Sequence, residues 1–150
     1  MARWPGHIAP GSTGDEPVCL IDLMATVAAL VGYELPPEAA PDSYNILPAL
    51  LSQTDGKPIR EAIVHHSGAG MFSLRQGRWK LIQGLGSGGF SEPRSLEPTP
   101  DGPQGQLYDM WEDTGEGANL WLRRPELVKR LSELLERYRA EGYSRPGAVG

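Results

Sequence analysis

The chain has 150 residues, enough for one domain with a hydrophobic core of its own. Its hydrophobic content of 39% is low for a globular domain, and 19 Gly and 14 Pro point to a folded body carrying long irregular loops. A net charge of −5, with no Lys/Arg cluster beyond Arg123-Arg124, excludes a nucleic-acid binder.

Residues 1–14 read as an extended segment and a loop, because Pro5, Gly6, Pro10, Gly11 and Gly14 block regular structure. No signal peptide is read there, since Met1–Gly6 lacks an apolar run, and the compartment stays open. Asp15-Glu16-Pro17 offers a helix start, and Gly32 offers the stop. The spacing therefore predicts a helix over 16–31. Its apolar residues, Val18, Leu20, Ile21, Leu23, Met24, Ala25, Val27, Ala28, Leu30 and Val31, point in all directions, so this helix wants burial on every side. One small domain cannot supply that, and a larger body is expected to pack against it. The run is too short, and too broken by Asp22 and Thr26, to span a membrane. Cys19 reads as a small core residue. Asp22 reads as a buried acid that links to the absent body.

Beyond Gly32, Pro36, Pro37, Pro41, Pro48 and Pro58 leave mostly loop, with a short helix possible over 45–51. Ala62–Ser67 is rich in β-branched residues and reads as a strand closed by Gly68. Residues 71–76 and 78–83 form the clearest hairpin, turning at Gln76-Gly77. Residues 84–105 are dense in Gly, Pro and Ser; such a loop is either disordered or plain surface covering, or the wall of a cleft. Gln106–Met110 is a short strand. From Pro125 to Glu141, Leu127, Val128, Leu131, Leu134, Leu135 and Tyr138 make one apolar helical stripe, capped by Gly142. The expected fold class is α+β: a small antiparallel sheet with the C-terminal amphipathic helix packed on it, plus the N-terminal hydrophobic helix.

Few residues carry chemistry. His65 and His66 are adjacent on a strand, so they point to opposite faces and cannot chelate one metal together. One is expected toward the core and the other, with Ser67, toward a polar pocket. Asp109, Glu112, Asp113 and Glu116 miss the calcium-loop pattern and read as turn formers and caps. Trp79 reads as a core anchor and Lys80 as a solvated charge. Arg75, Arg78 and Lys80 form a local cationic patch able to hold a sulfate or a sugar.

Several stretches in order carry a resemblance. They are Arg3-Trp4-Pro5-Gly6; Asp22-Leu23 with Thr26 and Leu30-Val31-Gly32; Gln76-Gly77-Arg78-Trp79-Lys80-Leu81-Ile82; Leu107-Tyr108-Asp109; Glu116; and Asn119-Leu120. Together they resemble the C-terminal part of a formylglycine-dependent sulfatase, arylsulfatase-like and alkaline-phosphatase-like in fold. The resemblance implies that residues 1–60 are the end of a catalytic α/β domain and its linker, and that 61–150 are the C-terminal subdomain. It implies that a full-length relative carries a formylglycine, made from the Cys or Ser of a Cys/Ser-x-Pro-x-Arg motif, and a calcium held by Asp/Asn side chains. Here Cys19 is followed by Leu20-Ile21-Asp22-Leu23, so neither catalytic cofactor is expected in this chain. The implied partners are an N-terminal catalytic domain, or its separately encoded equivalent, and a sulfated small molecule or glycan. Full-length relatives are often periplasmic or secreted. His65, His66, Ser67, Arg75, Lys80 and the 84–105 loop are the implied rim of the substrate cleft. The alternative is an interaction module that docks on a partner through helix 16–31.

Overall fold

The computed structural model describes residues 1–149. The chain divides into two units, Met1–Glu61 with Tyr138–Gly150, and Ala62–Arg137.

In the second unit, strands β1 (Ile63–His66), β2 (Phe72–Gln76), β3 (Trp79–Ile82) and β4 (Gln106–Asp109) form an antiparallel sheet in the order β1-β2-β3-β4. The strands are short because turn residues bound each of them; Gly77 closes the β2–β3 turn at a φ of 54°, which favours glycine. Register aligns Val64, Leu74, Leu81 and Leu107 in one row across the sheet. Leu74, Leu81 and Leu107 have no exposed surface. The C-terminal helix (Pro125–Glu141, α3 below) covers this face, with Leu131 and Leu135 equally buried and Val128 and Leu134 beside them. Polar tethers fix its position: Gln83 Nε2 donates to Glu136 Oε1 at 2.9 Å, and Arg130 donates to Gln76 Oε1. The α+β arrangement expected from the sequence is the one observed.

The first unit contains α1 (Leu23–Leu30), preceded by a single 3-10 turn at Leu20–Asp22, and α2 (Leu47–Leu50). The helix expected over 16–31 is thus shorter, and 15–19 are not helical. The cause is Asp22. Its Oδ2 accepts the Cys19 amide at 2.7 Å while Cys19 stays extended, so helical winding begins only after Cys19. Gly32 ends the helix as expected, at φ 70°, with Tyr33 N–H returning to Ala28 O at 2.8 Å.

Asp22 is buried, but its partner lies within the chain rather than on another body. Arg60 Nη2 forms an ion pair with Asp22 Oδ1, which also accepts the Tyr44 amide at 3.1 Å. The Arg60 guanidinium lies over the Tyr44 ring, 4.3 Å from its centroid. Thr26 Oγ1 donates to Asp22 O and accepts the Ile46 amide, and Ser43 Oγ accepts the Ala25 amide. These bonds hold the small and polar face of α1 inward: Asp22, Ala25, Thr26 and Ala28 are buried. Leu20, Leu23, Met24, Val27, Leu30 and Val31 are exposed. The helix therefore has two distinct faces, not the all-round burial read from its composition. Cys19 is half-buried and not a core residue.

The last residues close the same unit. Tyr44 Oη donates to Ser144 O, Tyr138 Oη donates to Glu61 Oε2 at 2.9 Å, and Arg145 donates to the carbonyls of Pro36, Ala39 and Ala40.

Removing one partner of the Asp22–Arg60 pair leaves an uncompensated buried charge. Arg60→Leu and Asp22→Ala are each expected to cost about 3–5 kcal/mol, read as a lower urea midpoint for the first unit. Arg60→Lys recovers only part of the loss, because one ammonium cannot both pair with Asp22 and stack on Tyr44 as the guanidinium does.

Candidate functional site

The sheet face opposite the leucine row carries most of the chemistry. Register places His65, Ser73, Ile82 and Gln106 in one row, and Ile63, Arg75, Lys80 and Tyr108 in the next, with side chains on the same face. His65, Arg75 and Lys80 therefore share this face. His66 points to the other side, its ring 5.8 Å from that of Phe72. Both histidines are exposed, where one was expected to face the core; they end a short edge strand whose covered residues are Ile63 and, in part, Val64.

Ser67 lies just beyond β1 and builds the turn into β2. Its Oγ accepts the amides of Ala69 and Met71, each at 3.2 Å, and its own amide donates to Met71 O.

The three cations differ in their surroundings. Arg78 makes a bidentate pair with Asp109, Nε to Oδ1 at 2.8 Å and Nη2 to Oδ2, and lies 5.2 and 5.1 Å from the rings of Trp79 and Trp111. Lys80 pairs with Glu116 and is not a fully solvated charge. Arg75 Nε donates to Gly77 O at 3.1 Å. Arg75 and Lys80 face each other directly across β2 and β3, a repulsion that Glu116 relieves. Trp79 is half-buried beside Arg78, not a core anchor.

The acidic residues cap and turn, as their spacing predicts. Asp113 Oδ1 and Oδ2 accept the amides of Gly117 and Ala118 at 2.9 and 2.8 Å. Those two bonds hold its carboxyl below the usual carboxylate value. Asp109 is held below it chiefly by the hydrogen bonds from Arg78. Burial, then the charges of Glu116 and Asp113, push the Tyr108 phenol up.

From this face a chain of side chains reaches the long loop. Tyr108 Oη donates to Gln106 Oε1 at 2.6 Å, and Gln106 Nε2 donates to Gly84 O and Gly86 O at 2.9 and 3.0 Å. The loop also closes on itself, through Ser87 N–H to Pro93 O, Gly88 N–H to Arg94 O and Leu96 N–H to Leu85 O. At Gly86 an added Cβ would lie 2.8 Å from Pro93 O, so only glycine permits that closure. The loop walls a cleft of about 360 Å³, lined by Met71, Gln83, Leu85, Arg94, Leu96 and Glu97 among others. Its lining mixes apolar side chains with the polar Gln83, Arg94, Ser95 and Glu97. Sequence composition hid this ordering, because the tether is one glutamine side chain bonded to backbone.

Among the described residues, no group of three or more His, Cys, Asp or Glu side chains converges to hold a metal ion. Calcium therefore has no fitting donor set there, and Cys19 lacks the Pro and Arg of a formylglycine motif.

Similar proteins fit these features. The N-acetylgalactosamine-6-O-sulfatase of Bacteroides thetaiotaomicron is 34% identical over 136 residues, 91% of this chain and 26% of that protein. Human arylsulfatase A is 34% identical over 89% of this chain and 29% of its own length. A solved structure from work on the metabolism of multiple glycosaminoglycans by Bacteroides thetaiotaomicron matches with a TM-score of 0.73 and 32% identity, over 92% of this chain and 28% of that one. Another, solved with its substrate D-glucosamine-2-N,6-O-disulfate, matches with a TM-score of 0.65; at 23% identity it supports the fold alone. The chain spans about a quarter of the length of these relatives. No family model matches it.

The depressed carboxyls make the second unit acid-sensitive. Asp109 and Asp113 contribute stability that is fully present above their ordinary value of 3.8 and is lost as pH falls through their lower folded values. The urea midpoint is expected to fall on acidification below that value, and Arg78→Met is expected to flatten the response.

Proposed function

We propose, from the chain's place in the arylsulfatase and alkaline-phosphatase-like superfamily, that it is the cleft-side portion of a sulfuric ester hydrolase and supplies none of the sulfur chemistry itself. The observation that carries this reading is the match: nine-tenths of the chain corresponds to about a quarter of a sulfatase. The donor set supports it, since neither a metal-binding group nor a formylglycine motif is present among the described residues. Residues 1–60 are read as the end of the catalytic domain with its linker, and 61–150 as the C-terminal subdomain.

The formylglycine and calcium expected of a full-length relative would belong to a catalytic part outside the matched quarter. This chain's contribution is to position the rest of the substrate. His65, Arg75 and Lys80 on one sheet face, with Ser67 and the 84–105 loop, form the rim; His66, on the opposite face of β1, joins it only at the strand's end. The name of the N-acetylgalactosamine-6-O-sulfatase relative makes a sulfated amino sugar the best-supported substrate class.

A second reading, an interaction module, is favoured by the exposed apolar face of α1.

The purified chain, given a generic aryl sulfate and calcium, is expected to show no turnover above buffer. Turnover that co-purifies with the chain and survives removal of contaminants contradicts the reading. Within an assembled enzyme, Arg75→Ala is expected to raise KM several-fold with little change in kcat, the pattern of lost uniform binding. An unchanged KM removes Arg75 from the rim.

A further inference from the structure

The wall of the loop-lined cleft is built from chain that would hold no shape by itself. Gly84 and Gly86 sit at φ of 134° and 91°, conformations that favour glycine and give the backbone little stiffness. Leu85 lies between them and lines the cleft together with Leu96, whose amide reaches Leu85 O at 3.1 Å. Arg94, on the same wall, pairs with its near neighbour Glu92 at 3.0 Å, but its side chain is 69% exposed. An exposed pair of that kind holds little in place.

Gln106 is the opposite, a fixed point. Its main chain belongs to β4 and pairs with Ile82 of β3. The residue before it, Gly105, is pinned on two sides. A Cβ there would lie 2.5 Å from the Trp121 ring and 2.6 Å from Ile82 O, and its carbonyl accepts from Asn119 Nδ2 at 3.0 Å. The Gln106 side chain is as constrained as its backbone. The two ends of a carboxamide have nearly the same shape, so hydrogen bonds decide which end points where. Tyr108 Oη makes the choice by donating to Oε1, which leaves Nε2 facing the loop. The two N–H groups on that nitrogen meet Gly84 O at 2.9 Å and Gly86 O at 3.0 Å. Burial, with the charges of Glu116 and Asp113, pushes the Tyr108 phenol up and keeps the donating proton on it. One nitrogen thus holds two carbonyls, two residues apart, and sets both the position and the turn of the segment. Met71 occupies the space beneath: a Cβ at Gly84 would lie 3.0 Å from Met71 Cε, and one at Gly88 3.1 Å from Met71 Sδ.

We propose that Gln106 is a positioning residue of the proposed cleft. It keeps the 84–96 wall in place before any ligand arrives, so that a sulfated sugar meets a preformed surface and not a loop that must first close. The identity of the ligand rests on the sulfatase reading; the tether does not.

The test digests the full 150-residue chain, without ligand, using a protease that cuts after arginine, and follows the fragments by mass spectrometry. Arg94 lies in the wall and Arg75 in β2, so one digest reads local opening and opening of the sheet together. Gln106→Met keeps the side-chain length and removes the hydrogen bonds; Gln106→Glu keeps the shape and removes the donors. Each is expected to speed cleavage after Arg94 about ten-fold or more, relative to cleavage after Arg75. Gln106→Lys returns N–H donors to the two carbonyls, and is expected to bring that ratio back to within about three-fold of the unsubstituted chain. Such a rescue separates positioning by hydrogen bonds from a plain loss of packing. Four results overturn the proposal: cleavage after Arg94 in the unsubstituted chain as fast as in a free peptide of the same sequence; no change in Gln106→Met and Gln106→Glu; a rise after Arg94 matched by an equal rise after Arg75; or no rescue by Gln106→Lys. Aryl sulfate turnover by the chain alone would remove the sulfatase reading and leave the tether standing, whereas equal digestion of all variants would remove the tether and leave that reading standing.

Discussion

The buried pair of Asp22 and Arg60 is the constraint on which the first unit depends. It joins residues 38 apart in sequence and caps the helical start through the Cys19 amide. It also anchors the Tyr44 segment. The arrangement is not free of cost, since Arg60 Nε is buried with no acceptor among the described residues. Two charges in a site with almost no solvent contact are weak evidence for stability but strong evidence for a specified orientation. What they specify is the rotation of α1: the small residues point in and the large ones point out. The unit then lacks the large aliphatic side chains that usually fill an interior. Among the described residues its buried apolar side chains are Ala25, Ala28, Tyr44 and Ile46, with Tyr138 and Ala148 from the last stretch of the chain. Polar bonds to backbone do much of the work that packing does elsewhere.

The second unit follows the more familiar logic. Leu74, Leu81 and Leu107 meet Leu131 and Leu135 in a dry layer, and the opposite face carries charge. The sequence stretches that signal family resemblance turn out to be stitches in this sheet. Arg78 clamps Asp109, Lys80 meets Glu116, and Asn119 covers the edge of β4 by accepting the Leu107 and Trp121 amides and donating to Gly105 O. The recognisable residues thus preserve a scaffold. The residues proposed for the cleft rim, His65 and Arg75 among them, sit on that scaffold.

What could be read in the sequence was what is local. The final helix shows its 3.6-residue stripe from Leu127 to Tyr138, and the hairpin shows alternation around a glycine turn; both depend on near neighbours. The start of α1 could not be placed, because the group that delays it, Asp22, is held by Tyr44 and Arg60 from far along the chain. Lys80 looked solvated because Glu116 lies 36 residues away. The 84–105 loop looked structureless because glycine and proline conceal a tether that begins at Gln106. The outward turn of two adjacent histidines reflects the shortness of β1 at the sheet edge, which no residue pattern encodes.

The central claim is that the isolated chain holds the large apolar face of α1 in water. Met24 lies on that face, and Met71 is half-buried against the loop in the other unit, which makes the pair an internal comparison. Oxidation of the monomeric chain by dilute peroxide, followed by mass spectrometry of peptides, measures both at once. The account predicts that Met24 is converted to its sulfoxide as fast as a methionine in a short free peptide, and well ahead of Met71. Protection of Met24 in the monomer, equal to or greater than that of Met71, would contradict it.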